Sequence, residues 1–256
     1  MLFGREYMPE GAGVDPEAPR KKGAARLLEI LSRDMDGIFL SGALALLVCA
    51  PAAILAGIAL WLGSLPLCLL AAAAAGWLVG PALTCLYDTI LRALRDEPGF
   101  WWHTYKRVWK QNFKSGLVPG VVFTLLWTLV AYAAFVLPQM TTVPAGFALV
   151  LVLDMVLLLT LGSYYWMQNA LFDAPISKKL SNCVRMLLGF LPRTALSAAF
   201  QLGYWLLMAA VIPRCAFIFL LTGLWLPNLL AMLAVYAPIE KSLHLEDQIQ
   251  AKREND

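Results

Sequence analysis

The sequence is poor in charge and lacks the residue patterns of known catalytic and metal sites. Charged residues make up 14% of its 256 residues, and histidine occurs only twice. Its five cysteines are scattered, without the CxxC spacing of a redox or zinc site. Walker loops, nucleophile elbows, HExxH motifs and carboxylates at catalytic spacing are absent. We therefore expect a non-enzymatic protein without a metal or another cofactor.

Apolar residues, by contrast, are abundant and occur in long blocks. They make up 60% of the chain, and the mean hydropathy is +0.69, well above that of soluble domains. A helix of roughly 20 residues crosses a hydrocarbon core about 30 Å thick. The blocks are rich in Leu and Ala and lack strict alternation, so they predict helices and not barrel strands. We predict an all-α membrane protein with about six spans, at residues 38–62, 66–88, 117–137, 144–166, 193–212 and 216–237.

Link lengths predict how these spans pair. The links at 63–65, 138–143 and 212–215 are short, so we expect three antiparallel hairpins, formed by spans 1–2, 3–4 and 5–6. Each hairpin is preceded by a stretch of mixed apolar and basic residues that predicts an amphipathic helix; these stretches are 25–36, 100–114 and 176–191. The pattern is consistent with a threefold repeat, but interfacial helices also occur beside spans without any repeat.

The basic residues predict the orientation. Every Lys and Arg except Arg214 lies in the N-terminal segment, in the links between spans 2–3 and 4–5, or in the C-terminal tail. Since cytoplasmic loops carry the excess of Lys and Arg, we expect a multi-pass protein of the cytoplasmic membrane with both termini inside. The first 35 residues lack the apolar core of a signal peptide, so the first span is expected to direct insertion.

The same features divide the chain into three regions. We expect a cytoplasmic arm at 1–24, one transmembrane domain at 25–237 and a cytoplasmic tail at 238–256. The net charge of +3 is explained by topology and by anionic lipid head groups, so it does not indicate a nucleic-acid partner.

The stretch 100–114 is the best candidate for a contact surface, because bulky aromatic residues alternate there with cations. Such a helix can lie in the lipid head-group layer, or it can dock on a cytoplasmic partner protein. The residues that form this candidate surface are Trp101, Trp102, Tyr105, Lys106, Arg107, Trp109 and Lys110.

Asp154 is the most informative residue inside a predicted span, because it lies near mid-depth in span 4. A central carboxylate costs about 2.5–3.5 kcal/mol on insertion scales, so we expect it to face the interior of the bundle. One hypothesis is a proton or cation relay. The other is a buried acid that joins helices through hydrogen bonds to Gln201 or Asn228.

Two proline positions interrupt the spans. Gly80-Pro81 lies in span 2 and Pro227-Asn228 lies in span 6. Broken helices often border binding sites in transporters, although proline kinks without a function are also frequent in membranes.

The N-terminal half carries a resemblance to a known family. Leu2-Phe-Gly-Arg-Glu-Tyr7, Gly13-Val14 and Ala18-Pro-Arg-Lys-Lys-Gly23 are followed, near the end of span 2, by Gly80-Pro81-Ala82 and a basic-aromatic stretch. This combination resembles the YesL-like family of Gram-positive bacterial membrane proteins, a family of unknown function whose genes often neighbour carbohydrate ABC importers.

The resemblance implies a non-catalytic accessory membrane protein that associates with the permease and ATPase subunits of such an importer. It supplies no catalytic residues. The alternative is a stand-alone small-solute or proton-coupled transporter or channel that uses Asp154 and the broken spans 2 and 6. An intramembrane enzyme would require a second polar group beside Asp154.

Overall fold

A computed structural model of the chain describes residues 21–97, 100–140, 146–211 and 216–243. In these ranges the chain is helical, which confirms the predicted all-α class. The α-helices are α1 (Ala24–Trp61), α2 (Leu65–Arg95), α3 (Trp101–Val136), α4 (Phe147–Leu171), α5 (Ile176–Gly189), α6 (Leu191–Val211), α7 (Ala216–Thr222) and α8 (Trp225–Leu243), and a short 3-10 turn follows α3. Residues 1–20 of the predicted arm and 244–256 of the predicted tail lie outside the described residues.

Five helices are long and apolar enough to cross a membrane, namely α1, α2, α3, α4 and α6. This supports the prediction of a multi-pass membrane protein. The region of the predicted sixth span contains α7 and α8, and the apolar part of α8 covers Trp225–Ala237.

In the region of the predicted sixth span, the helix is interrupted at Gly223, which has a left-handed φ of +46°. The sequence placed this interruption at Pro227-Asn228. Pro227 instead lies in the first turn of α8. N–H groups in the first turn of a helix make no hydrogen bond within the helix, so a proline there removes none. Gly223 can take the left-handed conformation because it has no Cβ, and this explains where the helix stops.

Two of the three predicted amphipathic helices are continuous with the spans that follow them. α1 has 38 residues and α3 has 36, so at 1.5 Å per residue they are about 57 and 54 Å long. Each therefore extends well beyond a hydrocarbon core of about 30 Å. The stretches 25–36 and 100–114 are parts of these helices, because extending an existing helix is easier than starting another one. Only the stretch 176–191 contains a separate helix, α5.

Helix α2 packs against α1, α3, α4 and α8, and most of its residues after Val79 are buried. Its contact with α3 is unusually close. A Cβ atom added to Gly80 would lie 2.0 Å from the carbonyl oxygen of Gly116, and one added to Gly120 would lie 2.2 Å from the carbonyl oxygen of Gly76. The two helices thus touch backbone to backbone, as pairs of GxxxG motifs do in membranes.

This contact corrects the expectation that Gly80-Pro81 interrupts span 2. Helix α2 is continuous from Leu65 to Arg95, with Pro81 inside it. The glycine provides room for α3, and Pro81 lies against Gly116 in the same contact.

Candidate functional site

The structure places Asp154 on the exposed surface of α4, and no hydrogen bond or ion pair joins it to a described residue. The expectation that it faces the interior is therefore wrong. The residues of α4 that line the interior cavity are Met155, Leu159, Gly162, Ser163 and Trp166, which follow helical spacing. Asp154 lies off this stripe. Hydropathy carries no information about the direction in which a side chain of a span faces.

Gln201 and Asn228 do lie in the interior, where they join Tyr87 and Ser163 in a cluster that we call the interior polar cluster. The hydroxyl of Tyr87 donates to Oδ1 of Asn228 at 2.7 Å and lies 3.2 Å from Oγ of Ser163. Nε2 of Gln201 donates to the same Oγ at 3.0 Å. The cluster joins α2, α4, α6 and α8. Two of the three predicted polar residues thus meet, but through Tyr87 and Ser163 and not through Asp154.

The interior polar cluster forms part of the wall of a cavity of about 440 Å³. The rest of the wall is largely apolar, and it includes Trp127, Trp166 and Trp205. Among the described residues that line the cavity, none is charged. Nor do three or more His, Cys, Asp or Glu side chains in the described ranges lie close enough together to hold a metal ion. The cavity therefore suits a neutral ligand.

The space exists because small side chains face it. Ala52, Ala53 and Ala56 contribute from α1, and Ala72 and Ala75 contribute from α2. Sequence reasoning did not predict this cavity. The signal was present in the runs of alanine within both spans, since alanine leaves room that a leucine at the same position would fill.

Trp166 is a largely buried residue of the cavity wall. Its ring is 1% exposed and packs edge-on against Phe123, with ring centres 5.6 Å apart. Its buried Nε1–H has no acceptor among the described residues. Buried indole N–H groups usually have a hydrogen-bond partner. The nitrogen atom itself is fully buried, so a molecule in the cavity does not reach it.

The candidate surface on α3 divides into an inward and an outward side. Trp101 and Trp109 are half-buried and Tyr105 is buried. Nε1 of Trp101 donates to Oγ of Ser41 on α1 at 2.7 Å. Neighbouring rings from Trp101 to Phe113 lie 5.5–6.2 Å apart, so they form a continuous stack along the helix.

The outward side consists of four exposed residues that we call the exposed basic strip: Trp102, Lys106, Arg107 and Lys110. Nζ of Lys106 lies 4.6 Å from the ring centre of Trp102, which is within the range of a cation–π interaction. The inward rings hold the helix in place, and the strip faces away from the bundle.

Beside this helix, two arginines of α1 bind the C-terminus of α2. Arg26 donates to the carbonyl of Leu94 at 2.9 Å and to Asp96 at 2.8 Å. Arg33 donates to the carbonyl of Ala93 at 2.9 Å and also pairs with Asp96. Cations are favourable at this end of a helix dipole. Burial alone would raise the pKa of Asp96, but the hydrogen bonds from the two arginines outweigh it and lower that pKa.

Lys179 on α5 is a buried cation. In the sequence it was only one of the basic residues that predict the orientation in the membrane. Its Nζ donates to Oδ1 of Asn169 at 2.7 Å, and Nδ2 of Asn169 donates to Oγ1 of Thr84 at 2.9 Å. Burial lowers the pKa of Lys179, although the nearby Asp173 opposes this effect. Lys179 shares the buried face of α5 with Cys183 and Met186 at helical spacing, and that spacing was the available sequence signal.

Among known protein families, one matches part of the chain. No curated protein and no solved structure matches it. The matching segment, residues 58–133, runs from the end of α1 through α2 and most of α3, so it includes both glycine pairs of the α2–α3 contact. Over these residues the chain is similar to a family described as "Protein of unknown function, DUF624".

Proposed function

We propose that this protein is a non-catalytic accessory membrane protein that associates with a carbohydrate ABC importer and contributes to its assembly, stability or regulation. The proposal rests on the resemblance of the N-terminal half to the YesL-like family, whose genes often neighbour such importers. The structural observation that supports it is the exposed basic strip, because it is a preformed surface that suits an acidic partner.

The strip is well placed for docking. It lies on the part of α3 that extends beyond the predicted span 117–137, and the inward ring stack fixes that part against α1. Because the helix that carries the strip is already fixed, its backbone does not have to be ordered when a partner binds. Lipid head groups are the competing occupant, since basic and aromatic residues also suit the membrane interface.

A topology belongs to the same proposal. The chain crosses the cytoplasmic membrane six times, with α7 and the apolar part of α8 together as the sixth crossing and with both termini inside. The distribution of Lys and Arg supports this arrangement. Labelling with a membrane-impermeant maleimide tests this topology. The labelled variants carry a single cysteine, at Ser64 or at Lys178, in a background without native cysteines. Ser64→Cys should react in intact cells, and Lys178→Cys should react only after permeabilisation.

Co-purification tests the association. The tagged protein, extracted from its native cells in mild detergent, should bring the permease and ATPase subunits of a carbohydrate importer with it. Lys106→Glu/Lys110→Glu reverses two charges of the strip and should reduce their recovery at least about tenfold. Lys178→Glu/Arg185→Glu reverses two exposed charges on α5 and serves as the matched control.

Two outcomes would count against these ideas separately. If neither subunit co-purifies in several mild detergents, the accessory function is contradicted. If both subunits are recovered equally with the two double variants, the association stands but the strip is not its contact surface.

The transporter alternative keeps one of the three features on which it depended, the break in the region of span 6, which lies at Gly223. Asp154 lies outside the cavity, and α2 is continuous through Pro81. The cavity itself remains as a binding space, and solute flux in liposomes that contain this protein alone would favour the alternative.

A further inference from the structure

We propose that the cavity between α1, α2, α3, α4, α6 and α8 binds one neutral amphiphile from the membrane, with an apolar body and a hydroxyl head group. This site is separate from the exposed basic strip. It is also independent of the proposed association with an importer.

The size and the walls of the cavity define the body of the ligand. Its volume of about 440 Å³ lies within the range of roughly 300–1,000 Å³ that is typical of small-molecule sites. A charged ligand would meet no opposite charge among the described lining residues, and burying it unpaired would be costly. A sugar would leave most of its hydroxyl groups unpaired against walls such as Trp127 and Trp205. The ligand is therefore neutral and mostly apolar.

One polar atom of the interior polar cluster is left to bind the head group. Oε1 of Gln201 receives no hydrogen bond from the described residues, since the amide of this residue pairs through Nε2. A hydroxyl can donate to this oxygen. A plain hydrocarbon chain cannot.

The other residues of the interior polar cluster are already paired. Tyr87 pairs with Asn228, and Ser163 pairs with Gln201 and with the carbonyl of Leu159. These bonds fix the polar wall before any ligand arrives. A preformed site of this kind binds without a large ordering cost.

Photolabelling tests the proposal on the full chain in lipid nanodiscs. The probe is a diazirine analogue of hexadecanol, and labelled peptides are identified by mass spectrometry. We expect labels on α4 and α6 at the cavity. Ala75→Trp fills the cavity and should reduce labelling at least tenfold. Ala74→Trp places the same side chain on the exposed face of α2 and should leave labelling unchanged.

A second variant tests the head group. Gln201→Met keeps the length of the side chain but removes the acceptor oxygen. The affinity for the hexadecanol probe should fall roughly three- to tenfold, the effect of one neutral hydrogen bond. The affinity for a hexadecane analogue should not change. This variant also carries the test if Ala75→Trp fails to fold, as judged by thermal unfolding.

Three results would overturn the proposal. In the wild-type protein, equal labelling of the cavity by the hexadecane analogue would mean that ordinary acyl chains fill it. Equal labelling by a palmitic acid analogue would remove the requirement for a neutral ligand. Undiminished labelling of folded Ala75→Trp would place the probe elsewhere.

Discussion

Gly80→Ala is predicted to disrupt the contact between α2 and α3. The new methyl carbon would lie 2.0 Å from the carbonyl oxygen of Gly116, 2.9 Å from its carbonyl carbon and 3.0 Å from Cα of Gly120. All three atoms belong to the backbone of α3, so no side chain can rotate away to make room. Ordinary contacts between such atoms are about 3.5 Å or longer, so the helices must separate by about 1 Å or more.

This separation sets the size of the effect. Overpacking in a close-packed interior typically costs 1–3 kcal/mol and occasionally more. Since the obstruction here is backbone, we expect Gly80→Ala to lower the free energy of unfolding by about 3 kcal/mol. Gly57→Ala is the matched control, because a Cβ at this helical position meets nothing within 4 Å. It should be neutral, or stabilising by up to about 1 kcal/mol through helix propensity.

Unfolding by SDS in mixed micelles, followed by far-ultraviolet circular dichroism, measures both variants. The double variant Gly80→Ala/Gly120→Ala adds a further test. Both methyl groups require the same separation of the helices, so their combined cost should be smaller than the sum of the single costs. A stability of Gly80→Ala within about 0.5 kcal/mol of Gly57→Ala would refute the backbone contact.

The remaining predictions concern three charged residues and use the same unfolding assay. Asp154→Leu should leave the free energy of unfolding unchanged or raise it by up to about 3 kcal/mol, because it removes a carboxylate from the exposed face of a membrane helix. Asp96→Asn should destabilise by roughly 1–2 kcal/mol at neutral pH, because it removes the partner of Arg26 and Arg33. The pKa of Asp96 lies below its ordinary value of 3.8, so this stabilisation is present above about pH 4 and is lost as the pH falls through the lowered pKa. Lys179→Met should remove an alkaline pH dependence. The pKa of Lys179 lies below its ordinary value of 10.5, so the unfolded chain binds more protons between the two values, and wild-type stability should rise with pH in that window.

Each of these predictions has a clear contrary result. A loss of more than about 1 kcal/mol in Asp154→Leu would mean that the carboxylate has a stabilising contact. A difference between wild type and Asp96→Asn that persists unchanged below about pH 3 would exclude the charge as its cause. For the lysine, Lys178→Met removes an exposed neighbour and should keep the wild-type pH profile. A Lys179→Met profile equal to that of the wild type would contradict the effect of burial.

Sequence patterns predicted part of the site and missed the rest for identifiable reasons. Gln201 and Asn228 were expected in the interior as hydrogen-bond partners of a buried Asp154, and they do lie there. The expectation failed for Asp154 itself, since it depends on which face of α4 meets the neighbouring helices. Trp166 was not predicted, because nothing in its local pattern shows that its N–H lacks an acceptor.

The GxxxG pairs show a different limit. Gly76 and Gly80, and likewise Gly116 and Gly120, have the spacing of a helix-packing motif. The spacing alone does not say which two helices meet, since either pair can pack against any small-residue surface. The distances to Gly116 and Gly120 identify α3 as the helix that packs against Gly80.

The sequence by itself determined that the chain is an all-helical protein of the membrane type. A membrane span is recognised from the summed hydropathy of about 20 consecutive residues, and this sum does not depend on what packs beside each helix. The tertiary structure alone decided that α1 and α3 are single long helices, that Asp154 faces outward and that Lys179 faces inward. It also decided that alanines on α1 and α2 leave an open cavity. These features depend on the relative positions of helices distant in sequence, and local composition carries no record of them.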